Sequence, residues 1–258
     1  MRIFINGIGH MGSWLVRVLS PEHEVAVYDL DPGKLEELEK ATILTDLAQL
    51  RDFSPRLAVN AVSLKHTRQA FEAMEECLPE DCILADIASV KAEVSQYYPT
   101  QARPFVSTHP MFGPTFADID QLADENAIVI SDSCPEGKEF FRELYGRLGL
   151  NIFEYTFREH DETIAYSLAT PFASSITFAA CMKKQEAPGT TFKKHKEIAE
   201  GLLSEDDYLL AEILFSPGAL DQVEKISQQL AFLTHIIRGR DYEVMTKLLR
   251  RLRANLED

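Results

Sequence analysis

The sequence predicts an α/β fold, a doubly wound parallel sheet followed by an all-helical domain, on three observations. Short β-rich apolar runs without polar alternation recur up to Tyr155, the texture of strands covered on both faces. Amphipathic helical patterns lie between several of them, and a βαβα order makes a doubly wound sheet the economical arrangement. After Tyr155 the pattern turns almost wholly helical, which divides the chain into residues 1–155 and 156–258.

The runs place strands at 3–8, 25–30, 57–63, 83–87, 105–107, 127–130 and 151–155. Between them, Trp14, Leu15, Val18 and Leu19 mark a helix over 11–19, Phe71, Met74 and Leu78 one over 67–78, and Phe140, Phe141, Leu144 and Leu148 one over 136–148. In the second half, Val223, Ile226, Leu230, Leu233 and Ile237 recur at helical steps. Breaks fall at Ala187-Pro188-Gly189, near Ser204, at Ser216-Pro217-Gly218 and at Gly239. Pro171, inside helix-patterned sequence, predicts a kink or a helix start.

Gly7-Ile8-Gly9-His10-Met11-Gly12 is a G-x-G-x-x-G that ends the first strand and opens the first helix. In that context it reads as the fingerprint of a Rossmann-type dinucleotide site. Gly7 permits the tight turn, Gly9 lets the backbone approach a pyrophosphate, and Gly12 lets the helix pack on the strand. The pyrophosphate is expected on free N–H groups at the helix's positive end, with Ile8, His10 and Met11 around it. Asp29 closes the second strand, where a carboxylate binds ribose hydroxyls and repels a 2′-phosphate, and no arginine follows at once to receive one. The cofactor is therefore expected to be NAD rather than NADP, with Ser63 at the end of the 57–63 strand completing the set. The plain alternatives are a glycine turn that binds no nucleotide and a His10 that is only a loop residue.

Ligands of a doubly wound sheet bind beyond the carboxyl ends of its strands. Three later segments fall there: Asp86-Ile87-Ala88-Ser89-Val90-Lys91, Ser107-Thr108-His109-Pro110-Met111-Phe112-Gly113-Pro114, and Glu159-His160-Asp161. A hydroxyl and two imidazoles converging on a nicotinamide form a proton-handling set suited to hydride transfer from an alcohol carbon. Each residue also has a plain structural counterpart. His109 ends a strand, Ser89 caps a helix over 90–97, Lys91 is a solvated first-turn residue, Asp161 belongs to the cap region of the long helix that follows, and His160 is a cleft-wall or structural histidine.

Taken in order, G-x-G-H-M-G, D-x-x-S-V-K, T-H-P-M-F-G-P and E-H-D before an all-helical domain resemble the prephenate/arogenate dehydrogenase family of tyrosine biosynthesis. The resemblance covers essentially the whole chain, and the histidine–proline motif with the D-x-x-S-x-K segment before it is its specific part. It implies NAD-dependent oxidative decarboxylation of prephenate to 4-hydroxyphenylpyruvate in a stand-alone dehydrogenase. His109 would accept the proton of the ring hydroxyl, and Ser89 would orient histidine, substrate and nicotinamide. Hydride would pass from the ring carbon to the nicotinamide, and the ring carboxylate would leave as CO₂. A near-neutral imidazole pKa suits such an exchange. The other readings are arogenate as substrate, a related two-domain hydroxyacid dehydrogenase, and a dinucleotide-binding homologue without catalysis.

The chain departs from that family in two places. Relatives carry a second histidine on the first long helix, where this sequence has Phe172. They also clamp a substrate carboxylate with an arginine in the next helical segment, and residues 190–197 contain none. Lys193, Lys194 and Lys196 stand there instead, as point-charge ligands for a dicarboxylate or as a solvated helix face. His160 is the fourth candidate substrate contact.

Lys and Arg number 26 against 41 Asp and Glu, a net charge of −15. A phosphate backbone or an anionic leaflet repels such a chain, so neither nucleic acid nor membrane is an expected partner. Cys77, Cys82, Cys134 and Cys181 form no CxxC pair and stand near no histidine at zinc spacing, so neither a metal site nor a disulfide framework is expected. The first residues, MRIFINGIGHMG, read as a buried strand rather than a signal peptide. No stretch is expected to approach the roughly 18 apolar residues that span a bilayer, and a cytoplasmic enzyme is expected. The amphipathic helices of the second half need a partner surface, which a homodimer supplies.

Overall fold

The computed structural model describes all residues except 37, 39, 114–120 and 258. Its strands are β1 (Arg2–Asn6), β2 (Glu24–Tyr28), β3 (Thr42–Ile43), β4 (Leu57–Asn60), β5 (Ile83–Asp86), β6 (Phe105–Pro110), β7 (Asn126–Ile130) and β8 (Asn151–Tyr155). They make one sheet in the order β3-β2-β1-β4-β5-β6-β7-β8. The order reverses beside β1, and that reversal opens the crevice in which a doubly wound sheet binds ligands. Helices α1 (His10–Leu19), α2 (Leu50–Phe53), α3 (Thr67–Glu75), α4 (Ala92–Tyr97) and α5 (Pro135–Arg147) accompany it.

Both faces of the sheet are covered, as the unalternating runs require. On one face Trp14, Leu15 and Leu19 of α1 and Phe141, Leu144 and Tyr145 of α5 pack on Ile3, Ile5, Val27, Val59 and Val129. On the other, Phe71 and Met74 of α3 and Val94 and Tyr97 of α4 pack with Tyr98 on Phe4, Ala26, Ala58 and Leu84. Two features differ from the sequence expectation. The edge strand β3 is an addition: its two residues, both exposed, carry no apolar run to read. β7 runs antiparallel to β6, while β8 is parallel to β7. An apolar run reports burial, and burial is the same whichever way the strand points.

One row of the sheet is polar. Asn6 is in register with Asn60, Asn60 with Asp86, and Asp86 with Ser107. All four are buried; Asn6, Asn60 and Asp86 end their strands and Ser107 lies within β6, so a polar row crosses the sheet beneath the crevice.

The second half begins with α6 (Phe157–Ile164), continues through a π turn at Ala165–Ala169 and runs on as α7 (Thr170–Cys181). Thr156 caps α6 through a capping box with Glu159, whose carboxylate returns to the Thr156 N–H at 2.8 Å. Asp161 therefore lies beyond the cap, not in it. Pro171 lacks an N–H, and its ring crowds the carbonyl four residues back. The π turn just before it widens the helix and takes the place of a sharp kink.

Helices α8 (Thr190–Leu202), α9 (Asp207–Leu214), α10 (Ala219–Gly239) and α11 (Tyr242–Ala254) follow. α9 and α10 pack on the π turn, and α9 also meets the 3₁₀ turn Leu64–His66 after β4. Among the described residues one helix, Phe157–Cys181, is long and apolar enough to cross a membrane by length and composition, with a mean hydropathy of 1.3. That corrects the expectation that no stretch reaches this length. Four of its hydroxyls, on Thr163, Ser167, Ser174 and Thr177, donate back to helix carbonyls, Ser167 to Thr163 and Thr177 to Ala173 each at 2.7 Å. Ile164, Ala165 and Ala169 are buried in the protein, but only 17% of the helix's most apolar window is.

Candidate active site

The glycine loop forms as its spacing demands. Gly7 has φ +95° and lies so close to the β4 loop that a Cβ would stand 2.7 Å from the Val62 nitrogen. At Gly12 a Cβ would be 1.9 Å from the Gly7 carbonyl oxygen. Gly9, by contrast, has no atom within 4 Å of its Cβ direction, and it caps α1 without a side-chain hydrogen bond. The first turn of α1 carries no acidic residue. Open room above uncapped N–H groups at a positive helix end is what a pyrophosphate needs.

Asp29 follows β2 and accepts the Ile8 N–H at 2.7 Å and the Asp31 N–H at 2.9 Å, one on each oxygen. Each oxygen retains a lone pair for a ribose hydroxyl, and the first bond ties the carboxylate to the glycine loop. Lys34 stands 3.7 Å away. Ile8 and Met11 turn their side chains to the core, whereas His10 is exposed. Ser63 is exposed after β4 and pairs with His66 Nδ1 at 3.0 Å. These residues lie at the ends of neighbouring strands and fit a dinucleotide.

Farther along the same edge, β6 turns Thr108 toward α5, where its hydroxyl donates to the Ile128 carbonyl at 2.7 Å and meets the Tyr145 hydroxyl at 3.0 Å. Alternation along the strand sends His109 to the opposite face. There its Nδ1 lies 3.0 Å from Nε2 of His160, whose own Nδ1 lies 3.2 Å from Asp161 Oδ1. Both histidines are buried.

This chain of contacts fixes the tautomers. Asp161 only accepts, so His160 carries its proton on Nδ1 and presents a bare Nε2. His109 must then donate from Nδ1, which leaves its Nε2 lone pair open to accept a proton. Burial above all, then His160 and the Lys91 ammonium, holds His109 well below the usual histidine value of 6.5. Burial likewise lowers His160, against the pull of Asp161. The near-neutral pKa expected of His109 is thus corrected downward: desolvation keeps the ring uncharged.

Against the Thr108–His109 peptide lies a group whose depth the sequence does not reveal. Lys91 is completely buried and caps no carboxylate at the surface. Its Nζ donates to Asp86 Oδ1 at 2.5 Å and to the Thr108 carbonyl at 2.7 Å. Asp86 also accepts the Tyr98 hydroxyl at 2.8 Å and the Ala88 N–H at 3.0 Å. The solvated first-turn reading of Lys91 is therefore overturned. Its neighbours Ile87 and Val90, both buried, are the one sequence signal that pointed inward.

Ser89 sits half-buried in the β5–α4 loop, and α4 is capped by Lys91 rather than by Ser89. Its hydroxyl has no partner among the described residues. His160 stands behind His109 instead of on the open cleft wall. Lys193 and Lys194 are exposed on α8 and Lys196 pairs with Glu200 at 2.7 Å. α8 meets α7 near Phe178, whose ring lies 5.4 Å from Phe192 and 5.6 Å from His195. At the helical rise Phe178 is about 27 Å from His160, so within one chain the lysine run does not meet His109. Pro114, the end of the histidine–proline motif, lies outside the described residues.

Comparisons with known proteins agree with this layout. The family model of the prephenate dehydrogenase nucleotide-binding domain matches residues 15–144. A probable arogenate/prephenate dehydrogenase of Methanocaldococcus jannaschii is 21% identical over 95% of this chain, and the chain spans only 58% of that protein. Prephenate dehydrogenase of Aquifex aeolicus, solved with hydroxyphenyl propionate and NAD⁺, superposes with a TM-score of 0.83 at 18% identity, covering 100% of this chain and 98% of the other. Arogenate dehydrogenase of Synechocystis does so with a TM-score of 0.76 at 17% identity, covering 100% and 99%.

The low histidine values carry a consequence for stability. Below 6.5 the unfolded chain protonates imidazoles that the folded chain keeps neutral, so the unfolded state binds more protons and stability falls as pH falls through that value. The urea midpoint is expected to be lower at about pH 5.5 than at about pH 7.5, and His109→Asn to flatten the difference. A His109→Asn chain with the unmodified pH dependence would contradict this.

Proposed function

This chain belongs to the prephenate dehydrogenase family and carries its nucleotide-binding domain, and on that premise we propose that it catalyses the NAD-dependent oxidative decarboxylation of prephenate. The observation that carries the reading is the bare Nε2 of His109, held in that state by His160 and Asp161 at the carboxyl edge of the sheet. NAD, when bound along the glycine loop and Asp29, supplies the hydride acceptor.

The protein's part is orientation and one proton. His109 Nε2 accepts the proton of the ring hydroxyl as that carbon is oxidised, and returns it once the ring carboxylate has left as CO₂ and the ring is aromatic. A low pKa keeps His109 in its accepting form throughout the neutral range. It also makes His109 a weak base, which is tolerable because aromatisation draws the reaction forward. Ser89 has a free hydroxyl in the loop next to this edge and serves to orient the substrate hydroxyl.

Arogenate differs from prephenate in an amino group remote from the reacting carbon, so the same proton acceptor serves either substrate. The choice rests on the groups that hold the side chain. The lysine run of α8 serves there only if a second copy brings it across. A homodimer is proposed on independent grounds. Leu220, Leu230, Phe232 and Ile237 of α10 and Leu249 and Leu252 of α11 are exposed, an apolar surface that a second copy of the same helices would cover.

NADH formation at 340 nm with prephenate or arogenate tests the reaction. Turnover is expected with prephenate, and a fall of about 10²–10⁴-fold in kcat is expected for His109→Asn. Turnover with arogenate alone would change the substrate and keep the mechanism, whereas unchanged turnover in His109→Asn would reject it. Sedimentation is expected to give a dimer of the 29.1 kDa chain. A monomer would dispose of the dimer and of the lysine clamp together.

A further inference from the structure

We propose that Lys91 is a positioning residue for His109, tying the backbone that presents the imidazole to Asp86 and placing a positive charge beside the peptide that carries the ring. The inference rests on the proposed role of His109 as proton acceptor and adds a residue to it.

The geometry is specific. Lys91 is the residue just before α4, Asp86 ends β5, and Thr108 immediately precedes His109 on β6. One ammonium thus bonds the carboxylate of one strand and the carbonyl of the next, at 2.5 and 2.7 Å. The Thr108 carbonyl belongs to the peptide that joins Thr108 to His109. Its hydrogen bond therefore acts directly on the backbone torsions that aim the ring. On the other face of the strand the Thr108 side chain is held by Ile128 and Tyr145, so this peptide is fixed from both sides.

The pair is ionised. Asp86 meets only donors, from Lys91, Tyr98 and Ala88, as a carboxylate requires. Lys91 in turn meets only acceptors. An ion pair with no exposure at either side chain is a costly way to join two strands, because apolar side chains of the same volume would do so at no desolvation cost. A field at His109 is something that apolar side chains would not supply. Among the described residues, the charged and titratable groups acting on that ring are Lys91 from the β5–α4 side and His160 from α6, and Asp161 and Asp86 act on His160 in turn. Tyr98 reaches Asp86 and not the ring, and Tyr145 stops at Thr108. Lys91 contributes the positive charge among them, and a positive charge disfavours protonation of the imidazole.

Two readouts separate this role from simple support of the fold. In Lys91→Met, followed by NMR of the histidine rings in the substrate-free protein, His109 is expected to bind a proton about tenfold more tightly or better. In the same variant kcat is expected to fall about a hundredfold, through the loss of aim, with the KM for NAD unchanged. Lys91→Met leaves Asp86 buried without its cation. If that variant does not fold, Lys91→Met with Asp86→Asn removes both charges and carries the same test, with a smaller rise in proton affinity. A folded variant of either kind whose His109 titrates as in the unmodified protein would overturn the proposal, even if its Tm fell. The ring titration requires no substrate, so it stands or falls apart from the identity of the reaction.

Discussion

The site depends on one hydrogen bond, from Nδ1 of His109 on β6 to Nε2 of His160 on α6. It joins the sheet to the first helix of the second half and determines which nitrogen of His109 is left free. Everything around it sets the two ring positions. Thr108 is anchored on the far face of β6, the Thr156–Glu159 capping box starts α6 at a fixed residue, and a π turn at Ala165–Ala169 joins it to α7, which holds Pro171 in its first turn. Asp161 then removes the ambiguity that two facing imidazoles would otherwise have, because a carboxylate beside His160 Nδ1 permits only one direction of donation.

Burial is the second theme, and it acts on the same ring. Desolvation keeps both imidazoles neutral, which is the state the directed hydrogen bonds require. A charged His160 would donate from both nitrogens and reverse the bond to His109. The site therefore relies on dryness for its tautomer as well as for its pKa. The buried Asp86–Lys91 pair fits the same economy: it places a full positive charge near the ring while remaining neutral overall, with every oxygen of the carboxylate engaged.

Much of this was legible in the sequence because it follows from periodicity and from glycine. The unalternating runs locate seven of the strands with their ends within three residues, and Gly7 and Gly12 stand where a Cβ would collide with backbone. What was not legible concerns direction and depth. Nothing in the run 127–130 says that β7 opposes β6, and the two exposed residues of β3 leave no pattern at all. Lys91 looked solvated because lysine usually is, and only a three-dimensional neighbour, the Thr108 carbonyl, explains its burial. The sequence leaves His160 open as a cleft-wall or a structural histidine, since the spacing of two histidines in a chain does not reveal that one stands behind the other. The lysines of α8 show the same limit in reverse: residues that look suited to a carboxylate are far from the histidine of their own chain.

The His109–His160–Asp161 contacts require Nε2 of His109 to be unprotonated. Nitrogen-15 NMR of the histidine side chains distinguishes a protonated ring nitrogen from a bare one, with His109 assigned by its loss in His109→Asn. At neutral pH His109 is expected as the Nδ1–H tautomer with Nε2 bare. An Nε2–H tautomer, or a ring carrying both protons, would contradict it.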